Sequence, residues 1–331
     1  MVFSGAGGKT QQIYSGPDNP VGMDPQEAER ICREAVDSVM NGDAEMAAEL
    51  FRSAASAGCP EGMFGLAELM ASGRGVPKDT EGAAVLYGKA AAAGNIPAAF
   101  RLGLMLLSGA DPAKGTEYLR LCCNAGFAPA YRFMGDACFD GVGTEKDLSA
   151  AAAWYSRASS EGDPEAEFRL GCMYETGTGV PADPGMSVKM FEESASGGCP
   201  EAMFKMAVLT YDGTVPGGKG KAFEWYSACS ETIPTAAFNA ATMLLNGDGV
   251  PQDKEKAFGI YSTLADSGDA DAMFQTGRMY IDGEGVGQNA EEGFRRIGKA
   301  ARMGNAEAVQ LVDGLRRRQN TQMIHIDGAE E

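Results

Sequence analysis

The sequence predicts an all-α chain built as an α-solenoid, a stack of about eight antiparallel helix-turn-helix repeats. Three observations carry that prediction. A small residue recurs at Gly62, Ala98, Ala130, Ala166, Ala202, Ala236, Ala272 and Ala308, at spacings of 36, 32, 36, 36, 34, 36 and 36 residues. Eleven residues after each of the first seven stands a glycine: Gly73, Gly109, Gly141, Gly177, Gly213, Gly247 and Gly283. Between these marks the apolar residues follow the 3.6-residue period of a helix. A two-helix unit cannot bury its apolar stripe alone, so repetition at this length means stacking of like units.

One unit shows how each element is specified. In Ala166 to Gly198, the residues Ala166, Leu170, Gly171 and Tyr174 form one stripe of a first helix. Gly177 and Gly179 stop it, because glycine takes the left-handed geometry that a helix C-terminus needs. From about Asp183 a second helix places Ser187, Phe191 and Ala195 four apart, and Gly198 ends it. A glycine like Gly179 follows the loop glycine at Gly75, Gly143, Gly249 and Gly285 as well. Five residues into each first helix comes another small side chain: Ala67, Gly103, Gly135, Gly171, Ala207, Ala241 and Gly277. Small residues at both places let two helices approach closely. The second helices repeat Ala83/Tyr87, Ala151/Tyr155, Ala222/Tyr226 and Ala257/Tyr261, whose rings fill the space left open. Trp154 and Trp225 precede two of those tyrosines and are read as packing residues with a polar edge outward.

The repeats are expected over residues 25–318, with units starting near 26, 62, 98, 130, 166, 202, 236 and 272. The first hairpin covers 26–40 and 43–57, joined by Asn41-Gly42-Asp43. A half-repeat over 306–318 ends in Arg316-Arg317-Arg318 and reads as a capping helix with a polar outer face. Residues 1–24 are rich in Gly, Ser, Asn, Gln and Pro without periodicity, the composition of a disordered leader. Within them Ser4 to Thr10 superficially resembles a phosphate loop. That motif needs a glycine where Phe3 stands, and a strand–loop–helix frame. Residues 319–331 read as a flexible polar tail.

Composition narrows the function. A net charge of −18 over 331 residues argues against nucleic-acid binding, which needs clustered Lys and Arg. No apolar run approaches the roughly 18 residues of a membrane helix, and the first residues lack the apolar core of a signal peptide. A cytoplasmic location without membrane insertion is the expectation. Eight cysteines, at 32, 59, 122, 123, 138, 172, 199 and 229, show no even pairing across units and are expected as reduced thiols in small core positions. One histidine, His325, and no CxxC pair leave no basis for a zinc site. The loops Asn246-Gly247-Asp248-Gly249 and Asp282-Gly283-Glu284-Gly285 look faintly like calcium loops. They lack the twelve-residue spacing and the terminal bidentate Glu, so turn chemistry explains them. No metal or cofactor is expected.

The pattern A-x-F-x-L-G-x-M-Y-x-x-G-x-G-V, then D-x-x-x-A-x-x-x-Y-x-x-A and a closing Gly, resembles the Sel-1-like repeat. This tetratricopeptide-related family has longer, glycine-rich loops, and the resemblance covers about residues 26–313. It implies a right-handed superhelix whose first helices line a concave surface, and a scaffold or adaptor that binds a protein or peptide there. Two units depart from the pattern. Residues 98–129 carry the short loop Gly109-Ala110-Asp111-Pro112, and the unit from Ala202 has Ile233 where the closing glycine belongs.

Three rows on the first helices fall within about 60° of each other on a helical wheel, opposite the small-residue seam. The first row is Phe64, Phe100, Arg132, Phe168, Phe204, Phe238 and Phe274. The second is Glu68, Leu104, Asp136, Cys172, Val208, Thr242 and Arg278, and the third is Ala71, Leu107, Phe139, Glu175, Tyr211, Leu245 and Ile281. Regular phenylalanines at helical spacing also suit core packing. The other two rows vary in chemistry from unit to unit, which core positions rarely do, and Phe139, Tyr211, Glu175 and Arg278 stand out among them. The predicted groove has an apolar floor with acidic and basic points, and takes an extended or helical peptide. The competing reading is a hydrolase of the β-lactamase type associated with some cysteine-rich relatives. Its serine motifs, S-x-x-K or G-x-S-x-G, do not occur and no Cys/His pair can be assembled, so a non-catalytic chain is expected.

Overall fold

The computed structural model describes residues 23–109 and 111–327, with side chains as far as residue 317. The leader expected over residues 1–24 lies outside these but for Met23 and Asp24, as do Ala110 and residues 328–331. Among the described residues there are 17 α-helices and no strand. They form two compact units. The first runs as far as Glu161 and includes Gly177–Pro181; the second holds Gly162–Thr176 and the residues from Ala182 onward.

The first unit contains α1 (Pro25–Met40), α2 (Ala44–Ser56), α3 (Pro60–Ser72), α4 (Thr80–Ala92), α5 (Ile96–Leu107), α6 (Pro112–Asn124), α7 (Pro129–Asp140) and α8 (Leu148–Ser160). The second contains α9 (Pro164–Thr176), α10 (Pro184–Ser196), α11 (Pro200–Tyr211), α12 (Gly218–Ala228), α13 (Pro234–Asn246), α14 (Lys254–Asp266), α15 (Ala270–Asp282), α16 (Ala290–Arg302) and α17 (Ala306–Asp327). Within each unit every helix packs on its neighbours in the chain. The starts are set by side chains that accept from the first free backbone N–H groups. Asp79 accepts from Gly82, Asp147 from Ala150 and Asp253 from Lys256. Proline at the first helical position, as in α3, α11 and α13, loses no hydrogen bond there.

The two loop glycines do different work. Gly141 ends α7 with φ 75°, a left-handed cap. Gly143, which the sequence reading also assigned to helix termination, is a close approach: a Cβ there would collide with the carbonyl of Pro112 at the start of α6. Gly285 meets Lys254 of α14 in the same way. Each such loop therefore rests on the second helix of the preceding hairpin.

The small-residue seam is the core. A Cβ on Gly62 would stand 2.7 Å from that of Ala54, so α3 lies directly against α2. One on Gly135 would stand 2.6 Å from the ring of Tyr155, and one on Gly277 2.7 Å from Ile297. Tyr155 is 0% exposed and Tyr261 1%, as rings must be to fill the space that the small residues leave. Trp154 stacks on Tyr131 at 6.0 Å, with Arg157 over both rings.

At the other end α17 continues to Asp327, past the Arg318 where the sequence reading ended it. No glycine or proline between Leu315 and Asp327 interrupts it. Its outer face is also less polar than expected of a cap, since Val309, Leu311 and Leu315 are exposed. No described helix is long and apolar enough to cross a membrane.

Candidate binding face

The three rows begin as one stripe per first helix, and the structure sorts them by what each side chain touches. The phenylalanine row turns inward. Phe64 packs on Tyr87 at 6.0 Å, Phe168 on Phe191 at 5.7 Å, Phe204 on Tyr226 at 5.7 Å and Phe238 on Tyr261 at 5.1 Å. Each ring thus caps the aromatic of its own hairpin's second helix. Phe100 instead meets Phe127 and Phe133, and Phe274 is buried. Arg132 replaces a ring in this row, lying 4.2 Å over Phe133 and 3.6 Å from Asp136.

The second row varies for an internal reason. Tyr87 donates to Glu68 at 2.5 Å, Tyr155 donates to Asp136 at 2.8 Å, and the hydroxyls of Thr242 and Tyr261 share a 2.7 Å bond. All three pairs are separated by 19 residues. A buried phenol needs a partner, and in these three hairpins the first helix supplies it, whereas Tyr226 bonds Asn239 of α13. Burial, with Glu68 beside it, pushes the Tyr87 hydroxyl well above its ordinary range, and burial raises that of Tyr261 against its bond with Thr242. Cys172 stands at the same separation from Phe191, and Arg278 from Ile297, where no hydroxyl is present. Leu104 is partly buried. Arg278 is exposed, its guanidinium 5.9 Å over Phe274 with no ion pair among the described residues.

The third row is the most open. Tyr211 is 40% exposed; its hydroxyl donates to Asp248 at 2.6 Å and its ring lies under Lys219 at 4.9 Å. Lys219 donates to Asp248 at 2.7 Å, and this pairing, then the Tyr211 bond, holds the Asp248 carboxyl below its ordinary range. Glu175 is exposed and pairs with Lys205 at 2.8 Å. Phe139 is partly buried beneath Lys146 at 5.6 Å, and Leu107 is partly buried. Leu245 and Ile281 pack on the core of the second unit. Both acidic loops are tied down by lysines, Glu284 by Lys254 at 2.7 Å, and no group of three metal-ligating side chains occurs among the described residues.

Four residues of the three rows, Phe238, Thr242, Leu245 and Arg278, meet in one place. Between α13 and α15 lies a depression of about 380 Å³ that Phe238, Leu245 and Arg278 line together with Thr242, Asn246 and Gln275. Tyr261 also lines it, and Lys254, Asp282 and Glu284 complete its charged rim. Gln275 was missed because it lies on α15 outside the three rows, and Asn246 and the rim because they sit at helix ends and in loops whose placement only the packing fixes.

A profile of the Sel1 repeat matches residues 39–59, 60–95, 96–127, 128–163, 164–199, 200–228, 234–269 and 270–305. The chain resembles the structure of a protective antigen of uropathogenic Escherichia coli with the SLR fold, at 28% identity and a TM-score of 0.76 over 88% of this chain and 65% of that one. It is also similar to a Sel1 repeat protein from Oxalobacter formigenes, at 26% identity and a TM-score of 0.67 over 88% of this chain and 87% of that one. A stretch of 50 residues is 46% identical to the ERAD-associated E3 ubiquitin-protein ligase component HRD3A of Arabidopsis thaliana, 15% of this chain and only 7% of that protein. With eight matched repeats and a matching architecture in both solved relatives, the chain belongs to the Sel1 repeat family.

Proposed function

We propose that the chain is a non-catalytic scaffold that holds a peptide segment of a protein partner on the exposed face of its first helices. The observation that carries this reading is the depression between α13 and α15, where an apolar floor, amide side chains and the guanidinium of Arg278, without an ion pair among the described residues, converge. Apolar contact from Phe238 and Leu245 supplies affinity, while Arg278, Gln275 and Asn246 fix a polar backbone or an acidic side chain. Likeness over 50 residues to a named ubiquitin-ligase component supports a place within protein assemblies. The acidic surface disfavours nucleic acid, and eight free thiols suit a reducing compartment such as the cytoplasm.

A photo-cross-linker placed at Gln275, followed by mass spectrometry of what it captures, tests the face directly. Cross-links to one partner should disappear in Leu245→Glu/Arg278→Glu while helicity by circular dichroism is unchanged. Equal cross-linking by that folded variant would overturn the assignment.

A further inference from the structure

The motif Cys-Pro-Glu occurs twice, at Cys59-Pro60-Glu61 and at Cys199-Pro200-Glu201. Each cysteine takes the N-cap position of a first helix, and each Sγ lies 3.3 Å from its glutamate carboxylate. The surroundings then diverge. Cys32, on α1, puts its Sγ 3.6 Å from that of Cys59, and both residues are buried. Cys199 makes no sulfur–sulfur contact among the described residues.

We propose that Cys32 and Cys59 are a reversible disulfide-modification site, oxidised by a small disulfide of the glutathione type and stapling α1 to the start of α3. Geometry makes the bond accessible, since the sulfurs need to close by only about 1.5 Å to reach disulfide length. The helix N-terminus favours a thiolate on Cys59. Its thiol is held below the ordinary range, first by the hydrogen bond from Cys32 and also by the backbone N–H of Gly62, against burial and the Glu61 carboxylate. Burial pushes the Cys199 thiol the other way. The Cys32 thiol is raised, first by its hydrogen bond with Cys59 and then by burial. Cys59, at the N-terminus of α3, is therefore placed to attack and Cys32, 3.6 Å away, to resolve.

The chemistry balances without any further reagent. The Cys59 thiolate attacks one sulfur of the external disulfide, whose S–S bond breaks and releases one thiolate. Cys32 then loses its proton to that released thiolate and attacks the Cys59 sulfur of the mixed disulfide. The second external thiol leaves, taking the proton that Cys59 gave up. Two protein thiols are oxidised and one disulfide is reduced to two thiols. Local opening of α1 from α3 admits the reagent to the buried pair.

The test uses the full chain equilibrated at graded ratios of oxidised to reduced glutathione, quenched in acid, alkylated and mapped as peptides without reduction. A Cys32–Cys59 linked peptide should accumulate while Cys122, Cys123, Cys138, Cys172, Cys199 and Cys229 stay alkylatable. Amide exchange in α1 should slow by roughly tenfold or more on oxidation, because opening of the stapled segment is suppressed. The Cys32→Ser variant should carry a persistent glutathione on Cys59. Glutathione on Cys199 as readily as on Cys59, or a map with Cys32 and Cys59 still alkylated at the most oxidising ratio, would overturn the proposal. The wild-type map decides the matter even if the variant fails to fold.

Discussion

The α7/α8 and α15/α16 hairpins share a backbone plan and differ in what the second row does. In the first, Gly135 admits the Tyr155 ring, and Asp136 beside it accepts from that ring's hydroxyl at 2.8 Å. In the second, Gly277 admits Ile297, which has no hydroxyl to satisfy, and Arg278 turns outward over Phe274. Variation along one row therefore has two causes. Where the second helix brings Tyr87, Tyr155 or Tyr261, the first helix answers with a polar group, whereas Tyr226 bonds Asn239 of α13 and leaves Val208 in that row; where the second helix brings an aliphatic or phenylalanine side chain, that position is released for recognition.

The shared part of the comparison should fail hardest. Gly135→Val and Gly277→Val each drive a branched side chain into a neighbour packed less than 3 Å from where its Cβ would stand. Neither α7 nor α15 is free to retreat, because α6 packs on the one and α14 on the other. Each change should cost about 3 kcal/mol, at the upper end for overpacking, read as a lowered urea midpoint. A loss in only one hairpin would show that the two seams are not equivalent.

The next effect separates the hairpins. Tyr155→Phe removes one donor from the Asp136 carboxylate and should destabilise by about 1 kcal/mol. Adding Asp136→Leu should recover part of that loss, so a double-mutant cycle gives a coupling of about 1 kcal/mol. The matching cycle between Arg278 and Ile297 should give none. Coupling of equal size in both would remove the distinction on which the candidate face rests.

Much of the architecture was legible because glycine and alanine spacings report backbone constraints directly. Gly141 needs a positive φ and Gly135 needs room for a ring, and no larger residue meets either demand. The face was legible only in part. Asp136 and Arg278 look alike in a single sequence: each is a charged residue in a row of mixed chemistry. The distinguishing signal was the residue 19 places on, Tyr155 in one case and Ile297 in the other, and a reading of the rows alone passes over it. Nor does periodicity show that Gly143 and Gly285 are set by contact with the preceding hairpin, since that depends on where the loop lands. Asn246, the last residue of α13, was invisible for the same reason, and Gln275 because it lies on α15 outside the three rows.

The smallest expected effect on stability is the most informative for function. Arg278→Ala removes an exposed guanidinium whose described contact is the ring of Phe274 at 5.9 Å. An exposed cation–π contact is worth roughly 0.5–1 kcal/mol, and part of that is returned by the higher helix propensity of alanine. The urea midpoint should therefore move by no more than about 0.5 kcal/mol equivalent, against the larger shift from Tyr155→Phe. Partner capture should fall more than tenfold, because a charged donor lost from a partly desolvated site removes about 1.5–3 kcal/mol. If Arg278→Ala instead lowers stability as much as Tyr155→Phe, the outward cation is structural after all, and the second row contributes to the fold throughout.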